Sequence, residues 1–252
     1  MTFVNFHIDI CQLSIILGLP VPESHFADVR ALDLFSGMEQ GHFDALMRGS
    51  YVQNFPPQIE LITEGDPSDF LHIILSGAVD LFSGWNGRES SIATMRPIST
   101  FILAATIKDG PYLMSARTLV KSRIAMIPSK DVRAVFDVDA HFARAIVTEL
   151  AQCYRNMVKT TKDLKLRTSL ERLANYLLTQ QTRVNGLGEF DLETEKRRLA
   201  SFLGMTPENL SRAFKGLQAY GVSMQGSRVF IDDQADLEAF ARRSPLIDDH
   251  LT

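Results

Sequence analysis

Residues 206–217 carry polar side chains at a spacing that suits contact with DNA bases. Glu208, Ser211, Arg212 and Lys215 recur at positions i, i+3, i+4 and i+7, which places them on one face of a helix. In the major groove an arginine can donate two hydrogen bonds to guanine, a glutamate can accept one from cytosine, and a serine can approach thymine. We therefore expect Glu208, Ser211 and Arg212 to read bases. The alternative, a charged face that is merely solvated, stays open on this pattern alone.

The elements around this face predict a winged helix-turn-helix. Gly204-Met205-Thr206 separates two helical segments, and the second begins with Thr206 as the N-cap and Pro207 as its first residue. Two short strands flank the turn Gln225–Arg228, as the strands of a wing would. In this module the second helix enters the major groove, and other residues hold the phosphate backbone. The predicted backbone contacts are Lys196, Arg197, Thr206, Lys215, Ser227 and Arg228.

The preceding part of the chain, from about residue 50 to 130, alternates short β-branched runs with turn residues, which predicts an antiparallel roll or barrel. The candidate strands are Ile59–Thr63, Phe70–Ser76, Ala78–Ser83, Ser90–Met95, Met114–Leu119 and Ser122–Ile127. The predicted fold class is therefore α+β, with an N-terminal antiparallel β-roll, a long helix and a C-terminal winged helix-turn-helix. The expected divisions are an N-terminal extension 1–27, a sensor domain 28–136, a dimerisation helix 137–166, a DNA-binding domain 167–240 and a tail 241–252.

From residue 140 the apolar period changes to about 3.5, which is typical of a helix with a coiled-coil seam. The predicted dimer seam consists of Ile146, Leu150, Cys153, Met157, Thr160 and Leu164. The alternative is a stripe that packs on its own domain. Oxidation of Cys153 at such a seam could link the dimer, whereas the simpler interpretation is a small buried apolar residue. Thr168 and Glu171 have the spacing of a capping box, which predicts the start of the next helix.

Two runs of the sequence resemble a known family. The run L-A-S-F-L-G-M-T-P-E-N-L-S-R-A-F-K-G-L, Leu199–Leu217, resembles the DNA-binding helix-turn-helix of the cyclic-AMP receptor protein and FNR family of bacterial transcription regulators. The run I-T-E-G-D-P-S-D-F-L-H-I-I-L-S-G-A-V-D-L-F, Ile62–Phe82, resembles the start of that family's β-roll, with Gly65 and Gly77 in its turns. The resemblance covers roughly residues 28 to 240 and includes the family's order of sensor, long helix and winged helix.

The resemblance implies a function and a set of partners. Glu208, Ser211 and Arg212 match the E-x-x-S-R triplet of the FNR branch, which implies a preference for half-sites like TTGAT. A cyclic-nucleotide-binding-like jelly roll is implied for the sensor. The implied partners are double-stranded DNA, a second copy of the chain in a homodimer, and RNA polymerase if the protein is an activator. Two half-sites about one helical turn apart would suit a two-fold dimer.

The predicted sensor departs from the family's cyclic-nucleotide binders. Those carry G-E-[LI] followed by R-[ST]-A, whereas this chain has Phe101–Ala105 and then Leu113–Ala116. Met114 stands where the phosphate-binding arginine is expected, and burying a phosphate without that cation is costly. This argues against cyclic AMP or cyclic GMP. The candidate effector pocket, lined by Leu103, Ile107, Leu113 and Met114, would suit a hydrophobic or uncharged metabolite, or no ligand at all.

The sequence does not identify a cofactor. The two cysteines, Cys11 and Cys153, cannot supply the four ligands of the family's iron-sulfur cluster, and we expect no other metal site from them. Haem stays open, because the family includes gas sensors. The candidate axial ligands are His7, His25, His42, His72 and His141, and the alternative for each is a structural role.

Composition and motifs limit the other function classes. The net charge of −4 argues against a strongly basic nucleic-acid binder, yet basic residues outnumber acidic ones between 141 and 230. No G-x-S-x-G, P-loop, H-E-x-x-H or G-x-G-x-x-G motif stands in a suitable context, so we expect no enzyme. No window suits a membrane span, and Ile8–Leu19 lacks the flanks of a secretory signal, which predicts a cytoplasmic protein without a membrane partner.

Two alternative functions remain beside the DNA-binding regulator. One is a haem- or redox-dependent regulator of the same family that senses a gas or a stress. The other is a dimeric effector-binding protein that uses its helix-turn-helix for contacts with proteins. The apolar N-terminal residues 1–27 are expected to pack on the roll or on the dimer partner.

Overall fold

The computed structural model describes residues 26–184, 188–192 and 195–249. The chain divides into two compact units, the first ending at Ala151 and the second beginning at Gln152, so the division falls inside the long helix. The expected packing of the N-terminal extension and the residues Cys11, His7 and His25 lie outside the described residues. Among the described helices, none is both long enough and apolar enough to cross a bilayer.

The first unit begins with short helices and continues into a β-roll. The helices are α1 (Phe26–Arg30), α2 (Asp33–Ser36), α3 (Gln40–Arg48), α4 (Leu103–Lys108) and α5 (Ser129–Phe136), followed by the long helix α6 (Ala140–Leu166). The strands are β1 (Tyr51–Phe55), β2 (Glu60–Ile62), β3 (Phe70–Ser76), β4 (Val79–Trp85), β5 (Arg88–Met95), β6 (Ser99–Phe101), β7 (Ser115–Thr118) and β8 (Ser122–Pro128).

Two four-stranded antiparallel sheets form the roll, in the orders β1-β8-β3-β6 and β2-β7-β4-β5. The β3–β4 turn requires glycine at Gly77, whose φ is +97° and whose added Cβ would lie 2.6 Å from the Ser122 Cα. The predicted antiparallel β-roll is confirmed. Strands β1 and β6 and helix α4 were not predicted, since β6 and α4 are short and their residues follow no clear period.

The alternation of β3 separates two apolar clusters. Leu71 and Ile73 point to a cluster that includes the helical residues Phe35, Phe43 and Phe142. The opposite face of β3 carries Ile74, which packs with other buried side chains in the interior of the roll. This interior cluster includes Phe55, Leu61, Val79, Leu81, Phe101, Tyr112, Ala116, Ile124 and Met126.

The long helix α6 leaves most of the predicted seam exposed but buries one of its residues. Ile146 is completely buried in the core of the first unit, whereas its neighbour Val147 is 59% exposed. Cys153 and Thr160, which were predicted in the seam, are exposed. Tyr154, which was not predicted in the seam, is also exposed, at 70%. The prediction of Ile146 as a dimer-seam residue is therefore wrong, because the helix uses that side chain to pack on its own unit.

The second unit contains the predicted winged helix-turn-helix. Beyond the end of α6, its elements are α7 (Ser169–Arg183), β9 (Glu189–Asp191), α8 (Lys196–Phe202), α9 (Pro207–Leu217), β10 (Val222–Gln225), β11 (Arg228–Ile231), α10 (Gln234–Ala241) and α11 (Pro245–Asp248). The sheet order is β10-β11-β9. Thr168 and Glu171 form the predicted capping box at the start of α7.

One apolar cluster holds the elements from α7 to α10 together. It takes Leu173 and Leu177 from α7, Leu199 from α8, Leu210 and Phe214 from α9, Val222 and Val229 from the wing, and Leu237 from α10. Strand β9 adds Phe190 to this cluster and pairs with β11, although the sequence pattern did not predict it. Its three residues are too few for a period to be recognised.

Candidate nucleic-acid interface

The turn between α8 and α9 is tight and is closed by main-chain hydrogen bonds. The Gly204 N–H donates to the Ser201 oxygen, and the Met205 N–H donates to the Ala200 oxygen, both at 2.9 Å. Gly204 has a φ of +62°, which glycine adopts without strain. The two helices therefore have the layout of a helix-turn-helix, as predicted.

Helix α9 begins as the sequence predicted. The Thr206 hydroxyl oxygen accepts a hydrogen bond from the Asn209 N–H at 3.3 Å, which satisfies one of the amides that the first turn leaves open. Pro207 occupies the first helical position. Thr206 as N-cap and Pro207 as first residue are therefore confirmed, and the start of α9 is anchored locally.

The side chains of α9 separate into a buried stripe and an exposed face. The buried stripe consists of the predicted residues Leu210, Ala213, Phe214 and Leu217. The exposed face carries Glu208, Ser211, Arg212 and Lys215. Because the stripe packs into the core of the second unit, the rotation of the helix about its axis is fixed and the four polar residues face solvent together.

Glu208 is held in the ionised form by groups at the helix N-terminus. Hydrogen bonds from its own backbone N–H and from the Thr206 hydroxyl lower the pKa of Glu208, and the charge of Arg212 lowers it further. An ionised carboxylate only accepts hydrogen bonds. The side chain therefore suits a donor such as the amino group of a base.

Ser211 and Arg212 differ in their surroundings. The Ser211 hydroxyl donates to the Pro207 carbonyl oxygen at 3.0 Å, so its proton is used within the helix and its oxygen is left to accept. Among the described residues, no carboxylate lies within salt-bridge distance of the Arg212 guanidinium. Arg212 can therefore present all of its donors to a ligand.

The first turn of α8 concentrates positive charge at a helix N-terminus. Lys196 and Arg197 are exposed and Arg198 is half-buried. Cations at this end oppose the helix dipole, so their presence does not serve the stability of α8. They do suit the binding of a polyanion, and both predicted residues, Lys196 and Arg197, are accessible for it.

The predicted wing contacts are engaged with acidic side chains of β9. The Arg228 Nη2 atom lies 2.8 Å from the Glu189 Oε1 atom, and both side chains are about half exposed. The Ser227 hydroxyl donates to the Asp191 carboxylate at 3.2 Å. Glu189 and Asp191 therefore compete with a phosphate for Arg228 and Ser227, a competition that the sequence did not reveal because β9 was not predicted.

Sequence reasoning also missed Arg172, a buried arginine on α7. Its Nε atom donates to the Leu203 oxygen at 2.9 Å, Nη2 to the Gly204 oxygen at 3.4 Å, and Nη1 to the Arg167 oxygen at 2.7 Å. Arg172 thus connects the turn of the helix-turn-helix to the start of the DNA-binding domain. No local signal could identify it, because its carbonyl partners at 203 and 204 are distant in sequence.

The four candidate effector-pocket residues do not come together. Leu103 and Ile107 lie one turn apart on α4 and pack into the helix-facing cluster, whereas Met114 packs against the interior of the roll. Leu113 is 78% exposed. The prediction of a pocket lined by all four is therefore wrong, because helix α4 and the bend before β7 direct them to three different environments.

The interior of the roll is apolar around one buried histidine. His72 stacks on Phe101 with the ring centroids 5.0 Å apart. Burial lowers the pKa of His72 to about 4, against a smaller raising effect of a hydrogen bond with the Phe70 backbone. The ring is therefore neutral at pH 7. A cavity of about 530 Å³ lies elsewhere on the unit, lined by residues that include Ser68, Asp109 and Arg133, and none of the four candidates lines it.

The described histidine candidates for haem ligation have separate surroundings. The His42 Nδ1 atom lies 3.0 Å from the Asp139 Oδ2 atom, and His141 is exposed. Burial would raise the pKa of Asp139, but hydrogen bonds from the Phe142 N–H, His42 and the Glu39 N–H lower it to about 2. Among residues 26–184, 188–192 and 195–249, no group of three or more His, Cys, Asp or Glu side chains is placed to hold a metal ion.

Comparisons with known proteins agree with this geometry. Residues 52–139 match the family model of the cyclic nucleotide-binding domain, and residues 171–240 match that of the Crp-like helix-turn-helix domain. Together the two matches span more than half of the chain and lie in its two separate units.

Curated relatives and solved structures match this chain over most of its length. The transcriptional activator protein Anr of Pseudomonas aeruginosa is 25% identical over 186 residues, which cover 72% of this chain and 76% of the relative. A CRP-like cAMP-activated global transcriptional regulator of Mycobacterium tuberculosis is 25% identical over 217 residues, which cover 84% and 96%. The structure of FixK2 from Bradyrhizobium japonicum superposes with a TM-score of 0.63 at 21% identity, covering 77% of this chain and 98% of that one, and supports the fold alone.

Three observations point to the same family. They are the order of β-roll, long helix and winged helix-turn-helix, the exposed polar face of α9, and the two domain matches. The relatives are transcriptional regulators rather than enzymes. The chain therefore belongs to the cyclic-AMP receptor protein and FNR family of DNA-binding transcriptional regulators.

Proposed function

We propose that the protein is a homodimeric activator that reads TTGAT-like half-sites with Glu208, Ser211 and Arg212. The observation that carries this proposal is the exposed face of α9, where the three side chains lie above a stripe that fixes the rotation of the helix. An arginine with its donors available, an ionised glutamate and a serine oxygen offer the donor and acceptor pattern that base edges require. The names of the relatives, transcriptional activators in several cases, support activation.

The backbone of the DNA is held by residues around that face. Lys196 and Arg197 supply charge from the first turn of α8, and Thr206 and Lys215 lie at the two ends of α9. Ser227 and Arg228 contribute from the wing once they leave their carboxylate partners. Contacts of this kind position a protein without reading sequence.

The homodimer forms along the solvent-facing apolar stripe of α6. Leu150, Met157 and Leu164 remain in the seam. The other three predicted residues, Ile146, Cys153 and Thr160, are replaced by the residues that follow them, Val147, Tyr154 and Thr161. The two rows alternate in steps of three and four residues, as coiled-coil a and d positions do. The exposure of Val147, Tyr154 and Met157 supports this phase, since large apolar side chains on a helix surface call for a partner.

Cys153 lies beside this seam and is exposed. It remains a candidate for a redox-dependent link between two copies, because thiols near a two-fold axis can form an intermolecular disulfide. Nonreducing gels of peroxide-treated protein test the idea. A dimer band that Cys153→Ser abolishes would support the link, and the absence of such a band in the parent protein would dismiss it.

The effector of the roll is not a cyclic nucleotide. Met114 packs against the apolar interior instead of supplying a cation, and the surrounding cluster consists of apolar side chains with neutral His72 nearby. A cyclic phosphate placed there would lose hydration without a compensating charge. The roll therefore responds to an uncharged molecule or acts without a ligand, and haem is the alternative to test by absorbance.

The protein acts in the cytoplasm on DNA, and RNA polymerase is its partner in activation.

Fluorescence anisotropy tests the proposed DNA binding directly. Purified protein, free of nucleotide and metal, is titrated into a labelled duplex with two TTGAT half-sites and into a scrambled duplex, each at two salt concentrations. Tighter binding to the palindromic duplex supports the proposal. Failure to bind either duplex would favour the alternative of a helix-turn-helix that contacts proteins. Salt-sensitive binding without preference would contradict the half-site assignment.

A further inference from the structure

A short C-terminal segment is attached to the last turns of the long helix. The Arg167 guanidinium binds the Asp248 carboxylate in a bidentate manner, with Nη1–Oδ1 and Nη2–Oδ2 distances of 2.6 and 2.7 Å. The Lys162 Nζ atom donates to the Leu246 oxygen at 3.3 Å, and the Lys159 Nζ atom donates to the Asp249 oxygen. Three separate cationic side chains, two on α6 and one directly after it, therefore hold α11 and the residue that follows it.

Arg167 occupies the joint between the long helix and the DNA-binding domain. Helix α6 ends at Leu166 and Thr168 is the N-cap of α7, so Arg167 is the connecting residue. Its side chain also contacts the Asp163 carboxylate, with an Nη1–Oδ1 distance of 2.9 Å. Its carbonyl oxygen accepts the hydrogen bond from Arg172 at 2.7 Å.

The contacts form a continuous path to the recognition helix. Asp248 holds the side chain of Arg167, the backbone of Arg167 holds Arg172, and Arg172 holds the Leu203 and Gly204 oxygens in the turn before α9. Each step is a hydrogen bond to a charged group, the stronger kind in proteins. A movement of α11 would therefore change the restraint on the joint itself.

The Arg167–Asp248 pair is more buried than a surface ion pair. The two side chains are 8% and 11% exposed, and the Ser244 N–H adds a third hydrogen bond to Asp248 at 2.6 Å. The Asp248 and Asp163 carboxylates raise the pKa of Arg167, although its burial opposes them. Desolvation offsets much of the attraction in a buried pair, so its geometric restraint matters more than its net stabilisation.

We propose that Arg167 and Asp248 are positioning residues that fix the angle between α6 and the DNA-binding domain, and so the direction in which each dimer subunit presents α9. The effect on DNA rests on the proposed function, whereas the restraint on the joint does not. Loss of the pair weakens binding to a palindrome, where two recognition helices must be placed at once. Binding of one domain to one half-site needs no such placement.

The experiment compares Asp248→Asn and Arg167→Lys with Asp232→Asn. The first removes one charge of the pair with little change of shape, and the second keeps the charge but removes the two-pronged donor. The control removes an exposed carboxylate of the same type from the same domain. Backbone amide exchange over residues 164–172 is measured without DNA, and affinity is measured on duplexes with one and with two half-sites.

We expect both pair variants to exchange at least about tenfold faster at the joint and to lose about tenfold in affinity for the two-site duplex only. The control should change neither. Unaltered exchange in Asp248→Asn, or an equal loss on the one-site and two-site duplexes, would overturn the positioning role. If the parent protein binds no DNA, the proposed function fails, while the exchange result still decides whether the pair restrains the joint.

Discussion

Ile146 and Val147 are neighbours on the long helix, yet the first is completely buried in the core of its own unit and the second is 59% exposed. The two side chains point about 100° apart around the helix axis. The first packs in the core of its unit, and the second faces solvent, where we propose that a partner helix covers it. This separation distinguishes substitutions that affect folding from those that affect assembly.

Substitutions in the exposed row, which contains Val147 and Tyr154, should therefore have a different result from a substitution of the buried Ile146. Tyr154→Glu or Val147→Glu should dissociate the dimer without unfolding the first unit, because a charge is placed in an apolar seam. Analytical ultracentrifugation measures the outcome, with the exposed Thr148→Glu as a matched control. Ile146→Ala should instead lower the unfolding free energy by about 2–5 kcal/mol. A dimer that survives Tyr154→Glu unchanged would show that the seam lies elsewhere.

Arg212→Ala should reduce sequence preference more than general DNA affinity. A bidentate contact to guanine contributes about 1–3 kcal/mol of discrimination, so the preference for the TTGAT palindrome over a scrambled duplex should fall roughly 5- to 150-fold. Lys196→Ala is the comparison, because loss of a phosphate contact should weaken both duplexes equally and lower the salt slope by about 1. Equal weakening of both duplexes by Arg212→Ala would argue against base recognition.

Glu189→Gln should strengthen DNA binding. The carboxylate of Glu189 lies 2.8 Å from Arg228, and its removal leaves the wing arginine available for a phosphate. Affinity for specific and scrambled duplexes should rise together, and log K should depend more steeply on salt. Asp232→Asn removes the same charge without freeing Arg228, so a similar gain in that variant would attribute the effect to net charge alone.

His72 should make the stability of the first unit depend on pH. Because burial lowers its pKa from 6.5 to about 4, the unfolded chain binds a proton between these values that the folded unit does not. The unfolding free energy should therefore fall as the pH drops from about 6.5 to about 4, by an order of 3 kcal/mol in total.

Urea unfolding at pH 7.5 and pH 5 measures this effect. His72→Leu should show a smaller loss of stability between the two pH values than the parent protein, whereas replacement of the exposed His141 by glutamine should leave the parent's loss unchanged. The buried Nδ1 atom of His72 has no hydrogen-bond partner among the described residues, so the leucine variant gives up only the hydrogen bond with the Phe70 backbone. An identical pH dependence in parent and His72→Leu would contradict the assignment.

The helix-turn-helix could be predicted in detail because its signals are local. Thr206, Pro207 and Gly204 define the turn and the start of α9 through their own backbone preferences, and the stripe beneath α9 follows from the helical period. Four of these signals fall within fourteen residues of chain, so no distant contact is needed to interpret them. The capping box of Thr168 and Glu171 has the same local character.

The sequence could not predict in this way which row of apolar residues on the long helix faces solvent. Ile146 and Val147 are both apolar, and a period of 3.5 fits either row. The choice depends on which side chain the roll covers, and that is a property of tertiary packing. The prediction of the effector pocket was wrong for a similar reason, since Leu113 and Met114 are adjacent in the bend before β7, yet the first is exposed and the second packs against the interior of the roll.

The contacts of Arg172 have a consequence for how the molecule tolerates change. Its three acceptors at positions 167, 203 and 204 are main-chain carbonyl groups, which every amino acid supplies. Replacement of Leu203 would alter the core but leave the acceptor in place, whereas no other side chain offers five donors in a planar fork. The attachment of Arg172 is therefore encoded at one position and does not depend on the side chains at the three positions whose carbonyl groups it contacts.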